Sequence, residues 1–88
     1  MMVLFEVFLA PGLQPEGTPL LSDEVVELTK AQVMTPEQAE AVGFQGIPED
    51  PQGRKRLFVA CAAKDARLVH SRLEASALCS AFRMHDIG

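Results

Sequence analysis

The last third of the chain, residues 56 to 87, restricts the fold more than any other feature, because its pattern changes from strand to helix and back to strand. Leu57 to Ala63 is a short apolar run that predicts a buried strand. Asp65 to Ser76 carries apolar residues at helical spacing, and Leu78 to Ile87 then alternates as a strand does. Two strands joined through a helix in one sheet run parallel to each other. The pattern therefore predicts a βαβ crossover.

The N-terminal segment Met2 to Ala10 is the most hydrophobic part of the chain and predicts a central strand, with Glu6 as its only charge. We expect it to fill the slot between the two C-terminal strands, antiparallel to both, with Glu6 across from Arg83 or His85. This arrangement is a small ferredoxin-like (split βαβ) sandwich of the α+β class. It has three to four mainly antiparallel strands and two to three helices on one face, in a single domain over residues 1 to 88.

The fourth strand of that plan has two candidate segments, Val25 to Thr29 and Phe44 to Ile47. Ser22 is a suitable N-cap, and the following residues favour a helix within 22–33. The β-branched residues of that segment leave a short strand open as the alternative.

A second helix is predicted at Pro36 to Val42. Thr35 caps it, proline takes the first helical position, and Gln38 lies where the partner in a capping box belongs. Ala39 and Val42 should point inward. We expect the helices of this first half to cover the same face of the sheet as the C-terminal helix.

Composition excludes several classes of protein. With 48% hydrophobic and 23% charged residues among 88, the chain resembles a globular domain rather than a disordered tail. Its longest apolar run is far too short for a membrane span, and no basic residue precedes that run as in a signal peptide. No membrane association and a cytoplasmic location are the resulting expectations.

Charge is distributed unevenly along the chain. Residues 1 to 50 hold nine acidic and one basic side chain, whereas residues 51 to 88 hold three acidic and seven basic ones. The two halves either neutralise each other across the surface of one molecule or form acidic and basic patches for a dimer or docking partner. Three of the basic residues form the run Arg54 to Arg56, which we interpret as a solvated turn.

The sequence offers weak candidates for chemistry. Cys61 and Cys79 are expected to be buried, reduced thiols, although Arg83 on the same strand face leaves Cys79 some reactivity. His70 is expected at a solvated helix border. The cysteines and histidines lack the spacings of a zinc site, so neither a metal nor a cofactor is predicted. An enzyme that uses Cys79 or His85 is the least favoured hypothesis.

A binding function is favoured instead. No glycine-rich phosphate loop precedes a helix, and the net charge of −4 disfavours nucleic acid. The sheet face opposite the helices would be apolar with charges among it, a surface that a small domain rarely leaves in water. We therefore predict a non-catalytic interaction or regulatory domain. It would bind a protein partner or itself, as a homodimer, through Glu6, Phe8, Arg83 and His85. The alternative is a small-ligand sensor, with its ligand between the sheet and the loop Pro11 to Pro19 or at a dimer interface.

Overall fold

Four strands and three α-helices form the part of the chain that the computed structural model describes, residues 2–44 and 52–86. In chain order they are β1 (Met2–Leu9), α1 (Asp23–Thr29), β2 (Gln32–Met34), α2 (Pro36–Ala41), β3 (Arg56–Ala62), α3 (Ala66–Ala75) and β4 (Cys79–Asp86). A single 3₁₀ turn at Ala63–Asp65 precedes α3. Across the described ranges, no helix has the length and apolar character needed to cross a membrane.

β1 lies inside a four-stranded sheet whose order is β2-β3-β1-β4. It pairs antiparallel with β3 on one side and with β4 on the other, so β3 and β4 run parallel to each other. α3 connects these two strands. The predicted crossover, with the N-terminal strand in its slot, is confirmed. The architecture is α+β and ferredoxin-like.

The fourth strand is the short β2, which pairs antiparallel with β3. Both predicted positions for this strand are wrong as far as the described residues extend. Val25 to Thr29 belongs to α1, Phe44 lies outside the strands, and the rest of the segment Phe44 to Ile47 is outside the described residues. A strand of three residues is too short to show alternation, so only its pairing with β3 reveals it.

α1 is helical because side chains satisfy the backbone at both of its ends. At its start, the backbone N–H of Val25 donates to the hydroxyl of Ser22 at 3.3 Å. Near its end, the Thr29 hydroxyl donates to the Val25 carbonyl at 2.8 Å and accepts from the N–H of Ala31 at 3.2 Å. Lys30 then adopts a left-handed φ of 58° that terminates the helix. The helix that was favoured within residues 22–33 therefore exists but is short.

The main core lies between the sheet and the helices α1 and α3, on the face that we call the helix side. Two helices therefore pack on one face, as predicted. The buried strand residues there are Val3, Phe5, Val7, Leu9, Leu57, Val59 and Cys61, and the helices contribute Val25, Val69 and Leu73.

The opposite face, which we call the open face, is covered in part by α2. Thr35 and Gln38 form the predicted capping box. Ala39 is buried in a second, smaller cluster. The prediction that all helices of the first half share the face of α3 is therefore wrong for α2. Val42 is exposed rather than inward, because it follows the last helical residue and the helical spacing does not extend to it. The other buried members of that cluster are Leu4, Met34, Phe58 and Ala60.

A bulge shifts the register at the start of β4. Phe8 pairs with Ala81, but Leu9 pairs with Cys79, so Ser80 is the extra residue. The Ser80 hydroxyl donates to the Phe8 carbonyl at 3.0 Å. Cys79 consequently packs against the helix-side core. The prediction that Cys79 shares a face with Arg83 is wrong, because strict alternation fails at a bulge.

Candidate functional site

Glu6 is the one charged side chain in the middle of the central strand, and its side chain is 0% exposed. It lies on the open face, with Phe58 of β3 on one side and Arg83 of β4 on the other. A buried carboxylate is stable only with charged or hydrogen-bonding partners. The contacts of Glu6 therefore define the chemistry of this face.

Three cationic or titratable side chains contact the two oxygens of Glu6. Arg56, the first residue of β3, donates from Nη1 to Oε2 at 2.5 Å. Arg83 donates to Oε1 from Nη2 at 2.8 Å and from Nε at 3.2 Å. The Nε2 atom of His85 lies 3.3 Å from the same oxygen. Each neighbouring strand thus supplies at least one partner to the central carboxylate.

The pKa of Glu6 is lowered by this arrangement. Burial alone would raise it, since desolvation disfavours the charged form. Hydrogen bonds from Arg56 and His85, together with the charge and the hydrogen bond of Arg83, outweigh that penalty. Glu6 is therefore an ionised carboxylate at neutral pH, a poor proton acceptor that holds cations in place.

A layer of guanidinium groups extends from Glu6 over its neighbour on the strand, Phe8. The Phe8 ring is almost fully buried, although it belongs to neither of the two clusters in which the described helices pack on the sheet. The guanidinium carbon of Arg54 lies 3.9 Å from the ring centroid and that of Arg83 lies 5.3 Å away. Arg83 therefore contacts both the carboxylate and the ring, yet 56% of its side chain stays exposed. We call this group the Glu6 surface; it consists of Glu6, Phe8, Arg54, Arg56, Arg83 and His85.

The four residues chosen from the sequence as partner-binding residues, Glu6, Phe8, Arg83 and His85, all lie in this surface. The predicted pairing of Glu6 with Arg83 is confirmed by the register of β1 and β4 and by their ion pair. The role of the four residues in binding stays a prediction.

Arg54 and Arg56 were missed, because the basic run was interpreted as a solvated turn. Arg56 instead belongs to β3, and only 12% of its side chain is exposed. The signal was present in the sequence. Arg56 alternates with Phe58 and Ala60, and this period of two places it on the same face as Glu6 once β1 and β3 are paired.

The two cysteines have raised pKa values, which makes them poor nucleophiles. Cys61 is buried, and desolvation and the charge of Asp65 both raise the pKa of its thiol. Burial also raises the pKa of Cys79, against a smaller opposing effect of a hydrogen bond with the backbone of Ala81. Cys61 is thus the buried thiol that was predicted, and Cys79 is only half-buried. A reactive cysteine normally has a lowered pKa.

The remaining titratable candidates are dispersed. His70 is exposed, as predicted, where it pairs with Glu74 at 3.4 Å and packs edge-on against Phe82. In the ranges 2–44 and 52–86, no three His, Cys, Asp or Glu side chains come together as metal ligands would.

An open cleft of about 660 Å³ lies beside the Glu6 surface, between the loop after β1 and the start of α2. Its lining carries both signs of charge, including Glu16, Glu37 and Lys55. This is the region in which the alternative hypothesis of a ligand sensor would place its ligand, and that alternative stays a prediction.

Comparisons with known proteins assign no family to the chain. No model of a protein family matches it, and no curated protein is significantly similar to it.

Proposed function

We propose that this chain is a non-catalytic interaction domain that binds a protein partner through the Glu6 surface. One observation carries the proposal. The fully buried carboxylate of Glu6 forms ion pairs with cationic side chains of the same chain. One of these, Arg83, keeps most of its side chain in solvent. In this arrangement Glu6 acts by orienting a cationic surface rather than by reacting.

The residue types of the surface support recognition of a protein. Arginine and aromatic side chains are enriched among the residues that dominate binding energy at interfaces. Here Arg83 lies over Phe8 and is anchored on Glu6. A guanidinium that is already fixed loses little conformational entropy when a carboxylate of a partner binds it. The expected partner surface is therefore acidic where it meets the exposed side chain of Arg83.

The chemistry of the neighbouring groups disfavours catalysis. Burial raises the pKa of both Cys61 and Cys79, so neither thiol is activated. The Nε2 atom of His85 is engaged with Glu6, whose lowered pKa makes it a weak base. A cytoplasmic location belongs to the same proposal and is supported by the two free thiols.

Site-specific photo-crosslinking in the native host cells tests the proposal. Ala81 is exposed and pairs with Phe8 on the open face, so benzoylphenylalanine at this position should react with a bound partner. The matched control carries the same probe at Arg67, an exposed position of α3 on the other side of the sheet. We expect a discrete protein adduct from position 81 that disappears with Arg83→Gln. No adduct above the level of the Arg67 control would overturn the proposal.

A further inference from the structure

The open face has two halves that expose charges of opposite sign, and one half projects further from the sheet than the other. α2 packs over β2 and β3 and exposes Glu37 and Glu40, and no basic residue occupies its last turn. Leu4 of β1 lies in the cluster with α2, but that cluster contains no residue of β4, and β4 displays Arg83 and His85 on this face. The exposed charges of the projecting α2 are therefore acidic, while those that β4 displays beside it are basic.

Such a face is complementary to itself. A rotation of 180° about an axis that runs along β1, in the plane between two stacked sheets, exchanges the two halves. It places the acidic α2 of each copy over the basic half of the other copy, and the two contacts are identical by symmetry. Glu37 and Glu40 form no ion pair with any described residue, so they are available for this contact.

The acidic helix α2 and the basic residues of β4 also lie at the same height along the strands. Ala39 of α2 contacts the cluster that contains Leu4 and Phe58. Leu4 pairs with His85, and Glu6, which pairs with Phe58, also pairs with Arg83. α2 thus lies at the same height along the sheet as the two basic residues. A rotation about an axis parallel to the strands preserves that height, so the acidic and basic groups meet.

The dimensions of the molecule are compatible with an interface of standard size. The molecule measures 31 × 28 × 18 Å along its principal axes, so its two longer dimensions bound a rectangle of about 870 Å². A standard protein interface buries about 800 Å² on each partner.

We propose that the partner of the Glu6 surface is a second copy of this chain, bound face to face across a twofold axis parallel to β1, with α2 of each copy over β1 and β4 of the other. This inference rests on the proposed function and names its partner. In the dimer, Glu37 and Glu40 of one copy lie against Arg83 and His85 of the other.

Light scattering after size-exclusion chromatography, combined with charge reversal, tests the dimer. The wild-type chain should have the mass of two chains. Glu40→Arg and Arg83→Glu should each raise the dimer dissociation constant about 10- to 100-fold, because like charges then face each other twice. An equimolar mixture of these two variants should dimerise again, since each altered charge then meets its opposite. The control Glu24→Arg, the same change on exposed α1, should leave the dimer intact.

The outcomes separate this inference from the proposed function. Arg83→Glu also faces Glu6 within one chain, so circular dichroism must show that it folds; if it does not, Glu40→Arg and its control decide the question. A monomeric wild-type chain, or a dimer insensitive to Glu40→Arg, overturns the second copy as partner. If position 81 then crosslinks to a different protein, the proposed function stands with another partner. If it crosslinks to nothing, both proposals fall.

Discussion

The two faces of the central strand are both buried, but by different means. On the helix side, the β1 residues Val3, Phe5 and Val7 lie under α1 and α3 in a hydrophobic core. On the open face, Leu4 lies in the cluster with α2, while Glu6 and Phe8 are covered by the guanidinium groups of arginines. Apolar packing needs no particular orientation, whereas an ion network needs fixed geometry. The comparison shows how a face can be closed to water and still present charge to a partner.

The largest expected difference between the faces is the response to losing a phenylalanine. Phe5→Ala should lower the free energy of unfolding by about 4 kcal/mol, since it leaves a cavity enclosed by two helices. Phe5 also loses its edge-on contact with Phe82 at 6.1 Å. Phe8→Ala should cost only about 2 kcal/mol, because water and the exposed Arg54 side chain can occupy the vacated space.

Urea unfolding of both variants at one protein concentration measures this difference. Leu28→Ala, at a position 72% exposed on α1, is the control and should change stability by less than about 0.5 kcal/mol. Equal losses for Phe5→Ala and Phe8→Ala would contradict the comparison, since the guanidinium layer would then enclose its ring as tightly as helices do.

A somewhat smaller effect is expected from neutralising the ion network. Glu6→Gln should destabilise the fold by about 3 kcal/mol at neutral pH, because Arg56, with only 12% of its side chain exposed, loses the charged carboxylate that it contacts. The exposed Arg83 can instead turn to solvent, so it contributes less to the loss. The matched control is Glu24→Gln, which removes an exposed charge on α1 and should be nearly neutral.

The effect of Glu6→Gln should also depend on pH. The folded-state pKa of Glu6 is lowered from its ordinary value of 4.5. The stabilisation from its charge is therefore complete above that value and is lost as the pH falls through the folded-state pKa. Unfolding at a series of pH values should show the wild type approaching the variant in acid. If the difference in unfolding free energy between the wild type and the variant stayed constant from neutral pH to well below 4.5, the ionisation of Glu6 would contribute nothing to stability.

The sequence predicts the helix side better than the open face, for physical reasons. The crossover and the β1 slot follow from long periodic patterns, and the pairing of Glu6 with Arg83 follows from them. The bulge at Ser80 could not be predicted, because the amino-acid composition of β4 gives no signal that one residue is extra. The sequence also does not show which face of the sheet α2 covers, because Ala39 is the only buried residue of this helix. Arg56 was misinterpreted because a basic run before a strand resembles a solvated turn.

The smallest expected effect is the loss of stability when an N-cap is removed, either from α2 on the open face or from α1 on the helix side. Thr35 and Gln38 form two reciprocal hydrogen bonds at the start of α2, at 2.9 and 3.2 Å, whereas Ser22 accepts a single one at 3.3 Å on α1. Thr35→Ala should therefore cost about 1 kcal/mol and Ser22→Ala about 0.5 kcal/mol in urea unfolding. Thr35→Ser keeps the hydroxyl and should restore most of the stability. If Ser22→Ala proved the more costly, α2 would contribute less to the open face than its capping implies, and the projecting acidic half would lose its rigid support.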